Sequence, residues 1–404
     1  MRIENDKRHG TTILGLCLML LCGFPTDVHS AEDEMPIIAY MGVPDWQTSE
    51  ENFRTFSECG FTVSLYPYAS LQLMVQACRY ADKYGVKVLG RCPEMTTAPA
   101  RAARTLKQER GFFGYFMQDE PTLPEISLRQ QEIERLRSAD DTHTFYVNLL
   151  PCYEQKPEWI YKVTKSRTYD AYLRAASATS CQQLSFDFYP ILTDSIRSTW
   201  YHNLEMVRRE SLSSGKPFWG FVLSVPHADY PQPTLEQMRL QAYSNLAYGA
   251  QALQFFTYWN PGKNEGFDYH DAPVSREGKK TRTYGLVQKL NSELKTVGRL
   301  FYGAKVTSVG HLGIIAEGTT RQTVMPENLS GLKISSSKGA IISQFEKAGN
   351  HYLAIVNKDY KRKMKVYIDV RNDVPRQLTK DLRELPVKAS YTVAAGDILL
   401  LKLK

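Results

Sequence analysis

The chain has 404 residues, 43% hydrophobic and 23% charged, with a formal net charge of +7. That length allows one large domain and a smaller one, and that composition excludes a disordered or low-complexity chain. No nucleic-acid-binding module accompanies the clearest basic runs, Lys279 to Arg282 and Lys358 to Lys365, so they read as solvated faces and nucleic acid is not an expected partner.

In chain order, residues 1–30 read as an export signal. Lys7 and Arg8 supply positive charge, Ile13 to Phe24 is apolar, and Val28-His29-Ser30 offers small residues for cleavage before Ala31. The apolar run is too short for a membrane span, and Leu21 is too bulky for lipoprotein processing at Cys22. The mature chain is therefore expected to start near Ala31 and to be secreted or periplasmic. Outside the signal stand Cys59, Cys78, Cys92, Cys152 and Cys181, an odd set with no metal-binding spacing, which reads as small core residues.

From Met35, apolar or aromatic runs alternate with helical patterns. The runs are Ile37 to Val43, Thr62 to Tyr68, Val86 to Arg91, Phe112 to Gln118, Thr144 to Leu150, Leu184 to Ile191, Pro217 to Ser224 and Ala252 to Trp259. Between them lie amphipathic stretches such as Glu50 to Glu58, Leu71 to Lys83, Glu125 to Arg137 and Leu235 to Tyr248. Gly60, Gly85, Gly111, Gly215 and Gly249 each precede a run, where a left-handed residue would end a helix and turn the chain back. Eight such units predict a (β/α)₈ barrel over residues 31–302, closed by a helix from Thr283 to Leu300. A doubly wound sheet is the runner-up. It suffers because Tyr40-Met41-Gly42-Val43-Pro44-Asp45-Trp46, after the first run, is no phosphate loop. Residues 303–404 change pattern: Gly339 to Gln344, His351 to Asn357, Met364 to Val370 and Ile398 to Leu403 alternate between turn residues, predicting an antiparallel β-sandwich.

The fourth run ends abruptly in Gln118-Asp119-Glu120-Pro121. Two carboxylates closing a core strand are costly unless they face water or a ligand. Pro121 is expected to hold Glu120 extended, and Thr122 with Glu125 forms a capping box for the helix that follows. The plainer alternative is that both acids complement that helix dipole. In a barrel, chemistry belongs at the carboxyl ends of the strands. Those ends also bring Asp45, Trp46, Tyr66, Tyr68, Arg91, Glu94, Asn148, Asp187, Tyr189, Ser224, His227, Tyr258, Trp259 and Asn260. Rings that stack on pyranose faces, beside groups that fix hydroxyls, suit an oligo- or polysaccharide; Trp259, Tyr258, Tyr189, Tyr66, Asn148 and His227 are the candidate binding residues.

Glycosidic hydrolysis normally uses two carboxyl groups. Glu120 is the candidate acid, its proton affinity raised by Asp119, and Asp187 is the best-placed second carboxylate, with Glu94, Asp229, Glu265 and Asp268 as loop alternatives. There is no HExxH, Walker loop or nucleophile elbow, and His143, His227, His270, His311 and His351 are scattered, so neither metal nor nucleotide cofactor is expected.

The Asp119-Glu120-Pro121 corner is similar to the Asn-Glu corner that carries the acid/base in clan A glycoside hydrolases. Tyr248 to Trp259, followed by Gly266, His270-Asp271-Ala272-Pro273 and Gly278, resembles the last strand and loop of family 42 β-galactosidases and related secreted Bacteroides-type proteins. The resemblance implies a barrel hydrolase acting on a β-linked sugar, with Glu120 in the acid/base position. Two departures stand against it. Asp119 replaces the asparagine, and the seventh run, where the family's nucleophilic glutamate belongs, reads Phe218-Trp219-Gly220-Phe221-Val222-Leu223-Ser224 and holds no acid. A carbohydrate-binding barrel without catalysis, and a scaffold whose sandwich contacts another protein, therefore remain as alternatives.

Overall fold

In the computed structural model, which describes residues 34–404 except 265, 327 and 372–374, each of the eight apolar runs supplies one strand. β1 (Ile37–Tyr40), β2 (Val63–Pro67), β3 (Lys87–Arg91), β4 (Phe112–Asp119), β5 (Thr144–Leu149), β6 (Leu184–Phe186), β7 (Phe218–Leu223) and β8 (Ala252–Phe256) pair in parallel and in sequence order. β8 returns to β1, with Gln254 opposite Ile38, and closes the barrel. The expected (β/α)₈ architecture is therefore present and the open sheet is not. The export-signal reading and the Glu265 alternative fall outside the described residues.

Helices Glu50–Glu58, Leu71–Asp82, Leu123–Arg137, Leu235–Tyr248 and Arg282–Phe301 occupy the amphipathic stretches. Ser49, Ser70 and Thr234 start three of them by accepting from the backbone N–H of Asn52, Leu73 and Gln237. Gly60, Gly85, Gly215 and Gly249 have φ of 90°, 66°, 70° and 106°, as their turn role requires. Gly111 is glycine for a different reason. Its φ is not left-handed; instead a Cβ there would stand 2.0 Å from the Cys78 carbonyl oxygen, because the entry to β4 runs against the helix Leu71–Asp82. Gly111→Ala must push strand from helix, and a loss of about 1–3 kcal/mol is expected in a urea titration; an unchanged midpoint would contradict that close approach.

Along each strand alternate residues enter the barrel. Ile38, Val63, Leu65, Leu89, Phe116, Tyr146, Trp219 and Ala252 form one apolar cluster there. A second cluster holds Tyr189, Phe221 and Leu223, with Tyr40 and Phe256 packed against it.

Beyond the last helix, antiparallel sheets of six and three strands enclose an apolar core that includes Ile342, Leu353, Ile355, Val366 and Leu401. This is the expected sandwich, and it packs on the barrel. Ser343 Oγ donates to the Ala247 carbonyl at 2.7 Å, Phe345 stacks on Phe301, and Lys380 bridges Glu293 and Asp397 at 2.7 and 2.8 Å. The helix Leu235–Tyr248 is thus covered on two sides. On its barrel side Asn245 donates to the Phe221 carbonyl at 3.1 Å, and nearly all its residues are buried.

Lys358 departs from the solvated-face reading of its run. It is buried, and its Nζ donates to the Ile314 carbonyl at 2.6 Å while Lys361, Arg362, Lys363 and Lys365 face solvent. Cys59, Cys78, Cys92, Cys152 and Cys181 are buried and free. Among the described residues no helix is long and apolar enough to cross a membrane.

Candidate active site

Unbroken alternation along β4 would place Phe116 and Gln118 inside the barrel and Asp119 outside. The ladder to β5 prevents this: Phe116 pairs with Tyr146, Gln118 with Val147 and Asp119 with Asn148, so one extra residue is accommodated at Met117. Such a bulge inverts the facing of everything after it. Asp119 consequently shares the inner face with Asn148, while the Gln118 amide reaches outward to Glu125 at 3.2 Å.

Asn148 then joins two acids. Its Nδ2 donates to Asp119 Oδ1 and to Asp187 Oδ1, each at 3.0 Å, and its side-chain oxygen Oδ1 accepts from Ser185 Oγ at 3.0 Å. Gln254 donates to Ser185 at 2.8 Å, and Tyr40 Oη donates to Asp119 Oδ2 at 2.9 Å. The helix-dipole alternative is not what holds Asp119, whose two oxygens are taken by side chains from β1 and β5. That helix is capped by Glu125, which accepts from the Thr122 N–H at 2.7 Å.

Glu120 is not extended, as Pro121 led us to expect. Its φ is +46°, a left-handed conformation that costs a non-glycine residue about 1–3 kcal/mol. Two bonds hold it there: the Glu120 N–H donates to the Asn148 carbonyl at 2.8 Å, and Tyr172 Oη donates to the Pro121 carbonyl at 2.7 Å. Strain of this kind persists where the surroundings over-determine the backbone, and it often marks a functional position.

Solvent reaches Asp119 and Glu120 on one side, while protein crowds them on the others, as on the floor of an open cleft. Burial followed by the charge of Asp119 pushes Glu120 up to about 7, against which the hydrogen-bonding contact with Asp187 acts. Burial raises Asp119 too, opposed by its bonds from Asn148 and Tyr40. Asp187 stands well above the usual carboxylate range, first through burial and then through the charges of Glu120 and Asp119. No Lys or Arg among the described residues neutralises the trio. At neutral pH such a cluster retains a proton.

Asp187 therefore lies beside Glu120, in side-chain hydrogen-bonding contact with it. Of the loop alternatives, Glu94 caps a helix, accepting from the Leu71 N–H at 2.9 Å.

Tyr189 and His227 join a ring-lined wall with Phe256, Tyr230 and Tyr269. Three other expected binding residues are not at the mouth. Tyr66 follows the inward-facing Leu65 and so faces out of the barrel, packed against Trp46 and Tyr68. β8 ends at Phe256, so its alternation does not reach Tyr258, which is 0% exposed and packs on Phe56 and Phe61. Trp259 is 2% exposed, with its indole N–H bonded to the Arg276 carbonyl at 3.2 Å. The residues missed were Tyr40, Ser185, Gln254 and Phe256. All lie on inward positions of their strands and were legible by counting alternation back from the strand end.

No protein-family model matches the chain, and no curated protein does. Among solved structures, one described as a glycoside hydrolase is similar with a TM-score of 0.53 at 12% identity, covering 91% of this chain and 92% of that one. A β-galactosidase from the haloarchaeon Halorubrum lacusprofundi is similar with a TM-score of 0.49 at 9% identity, covering 91% of this chain and 99% of that one. The chain thus shares its barrel fold with a glycoside hydrolase of solved structure, and no likeness singles out family 42.

Proposed function

We propose that the protein is an exported glycoside hydrolase acting on a β-linked saccharide, with Glu120 as general acid and Asp187 as the second carboxylate. The observation that carries this reading is the trio Asp119, Glu120 and Asp187 at the carboxyl end of the barrel, without a cation and with Glu120 held near 7. A structural ion pair would carry a partner charge. A group poised to give up a proton near neutral pH is what departure of an alkoxide requires. The ring of Phe256, partly open to solvent and flanked by Tyr189 and His227, offers a face for the sugar.

The test is turnover of a panel of aryl β-glycosides, galactoside included, by residues 31–404. Release of the aryl alcohol supports the reading. Saccharide binding with no release from any substrate favours instead a carbohydrate-binding barrel, to which the acid-free β7 lends its weight. The pH dependence has a fixed sign. Because Glu120 is raised, it is protonated below about 7 and loses its proton above it, so kcat/KM should fall on the alkaline side of about pH 7.

A further inference from the structure

Three carboxyls crowd one side of the mouth, on β4 and just past β6, while β7 brings none. At the β7 end the first polar side chain is Ser224, whose hydroxyl is engaged by the Thr257 carbonyl at 2.8 Å. Among the described residues, Glu120 feels the charge of Asp119 and a side-chain hydrogen bond with Asp187. A pair in contact cannot sit on opposite faces of a sugar ring. It can serve two substituents on adjacent ring carbons, one acid at the glycosidic oxygen on C1 and the other at a group on C2. Beside Asp187 the wall is apolar: Tyr189 packs edge-on against Phe221 and lies against Phe256, whose ring is partly open to solvent. This is a place for a methyl group. The C2 substituent that offers an N–H to a carboxylate, a methyl to an aromatic wall and an oxygen nucleophile to C1 is an acetamido group.

Resting on the glycosidase reading above, we infer that the substrate is a β-linked 2-acetamido-2-deoxyhexoside, and that its own acetamido oxygen, in place of a protein carboxylate, attacks C1. As substrate enters between them, the proton that the cluster retains goes to Glu120 and the ionised Asp187 accepts the acetamido N–H. The acetamido carbonyl oxygen forms a bond to C1. The C1–O bond to the leaving group breaks with its electron pair on the departing oxygen, which takes the proton of Glu120. The resulting oxazolinium ion carries its positive charge across the C–N unit, against Asp187. Water then adds to C1 and gives a proton to Glu120, while the bond between C1 and the acetamido oxygen breaks and returns its electrons to the amide. The sum is hydrolysis with retention, and it needs no acid on β7. Asp119, fixed by Tyr40 and Asn148, is a positioning residue that supports the proton affinity of Glu120.

The experiment compares 4-nitrophenyl N-acetyl-β-glucosaminide and N-acetyl-β-galactosaminide with the parent β-glucoside and β-galactoside. A trifluoroacetamido analogue and the thiazoline of N-acetylglucosamine are run alongside. The expected result is kcat/KM on the order of a hundredfold or more higher for an acetamido sugar than for its parent, since a site built for a polar group rejects the analogue lacking it. A steep loss on fluorination, which weakens the attacking oxygen, and competitive inhibition by the thiazoline should accompany it. Equal or better turnover of the parent hexosides, still dependent on Glu120, would overturn the inference while leaving the glycosidase reading in place. Fluorination without effect would overturn it in the same way. No turnover of any substrate would overturn both.

Discussion

Glu120→Gln should lower kcat/KM by about 10²–10⁴ on a glycoside with a poor leaving group, the usual contribution of a positioned general acid. Glutamine has nearly the shape of glutamate but no proton to give at the departing oxygen. The loss should therefore shrink on a dinitrophenyl glycoside, whose leaving group departs without protonation, and grow as leaving-group basicity rises. That gradient separates lost acid catalysis from a disturbed fold, which would lower all substrates alike. The backbone argues the fold will survive, since Glu120 is held through its N–H to Asn148 and through the neighbouring Pro121 carbonyl, neither of which involves its carboxyl. A loss that is uniform across leaving groups would count against Glu120 as the acid.

Asp187→Asn should produce two effects of opposite sense. Activity should fall by a hundredfold or more, about the size of a lost electrostatic stabiliser of transition-state charge. Thermal stability should rise, and more at pH 8 than at pH 5. Glu120 is raised to about 7 and Asp187 also stands high, so between the ordinary carboxylate range and about pH 7 the native protein holds protons that the unfolded chain releases. Stability then falls as pH climbs through that window, because the unfolded state binds fewer protons there. Removing one acid relieves the repulsion that remains above it. Melting curves of both proteins at the two pH values check this, and a variant that melts lower at pH 8 would show that Asp187 is a structural anchor for Asn148 more than a charge under strain.

Much of this was legible in the sequence, because barrel strands and their helices are local in pattern. Glu50–Glu58 and Leu235–Tyr248 begin and end where the apolar spacing and the caps place them. The two acids at the end of β4 were equally plain, since nothing apolar explains Asp119 and Glu120 there. What local pattern could not give was facing. The bulge at Met117 is a relation between β4 and β5, and without it Gln118 and not Asp119 would enter the barrel. The same limit explains Tyr258 and Trp259: their run reads as one continuous strand, yet β8 ends at Phe256 and the rings that follow pack away from the mouth. Gly111 is a third case, where the residue type was noticed but its cause, the carbonyl of Cys78 at 2.0 Å from a Cβ, lies in another element.

The most direct test of the account is the pH dependence of kcat/KM for residues 31–404 on a glycoside with a poor leaving group, measured beside Glu120→Gln. An alkaline limb with a midpoint near pH 7 in the native protein, absent in the variant, is the predicted result. A native profile flat through pH 8, or a limb that survives the substitution unchanged, would contradict the assignment of Glu120 as the acid.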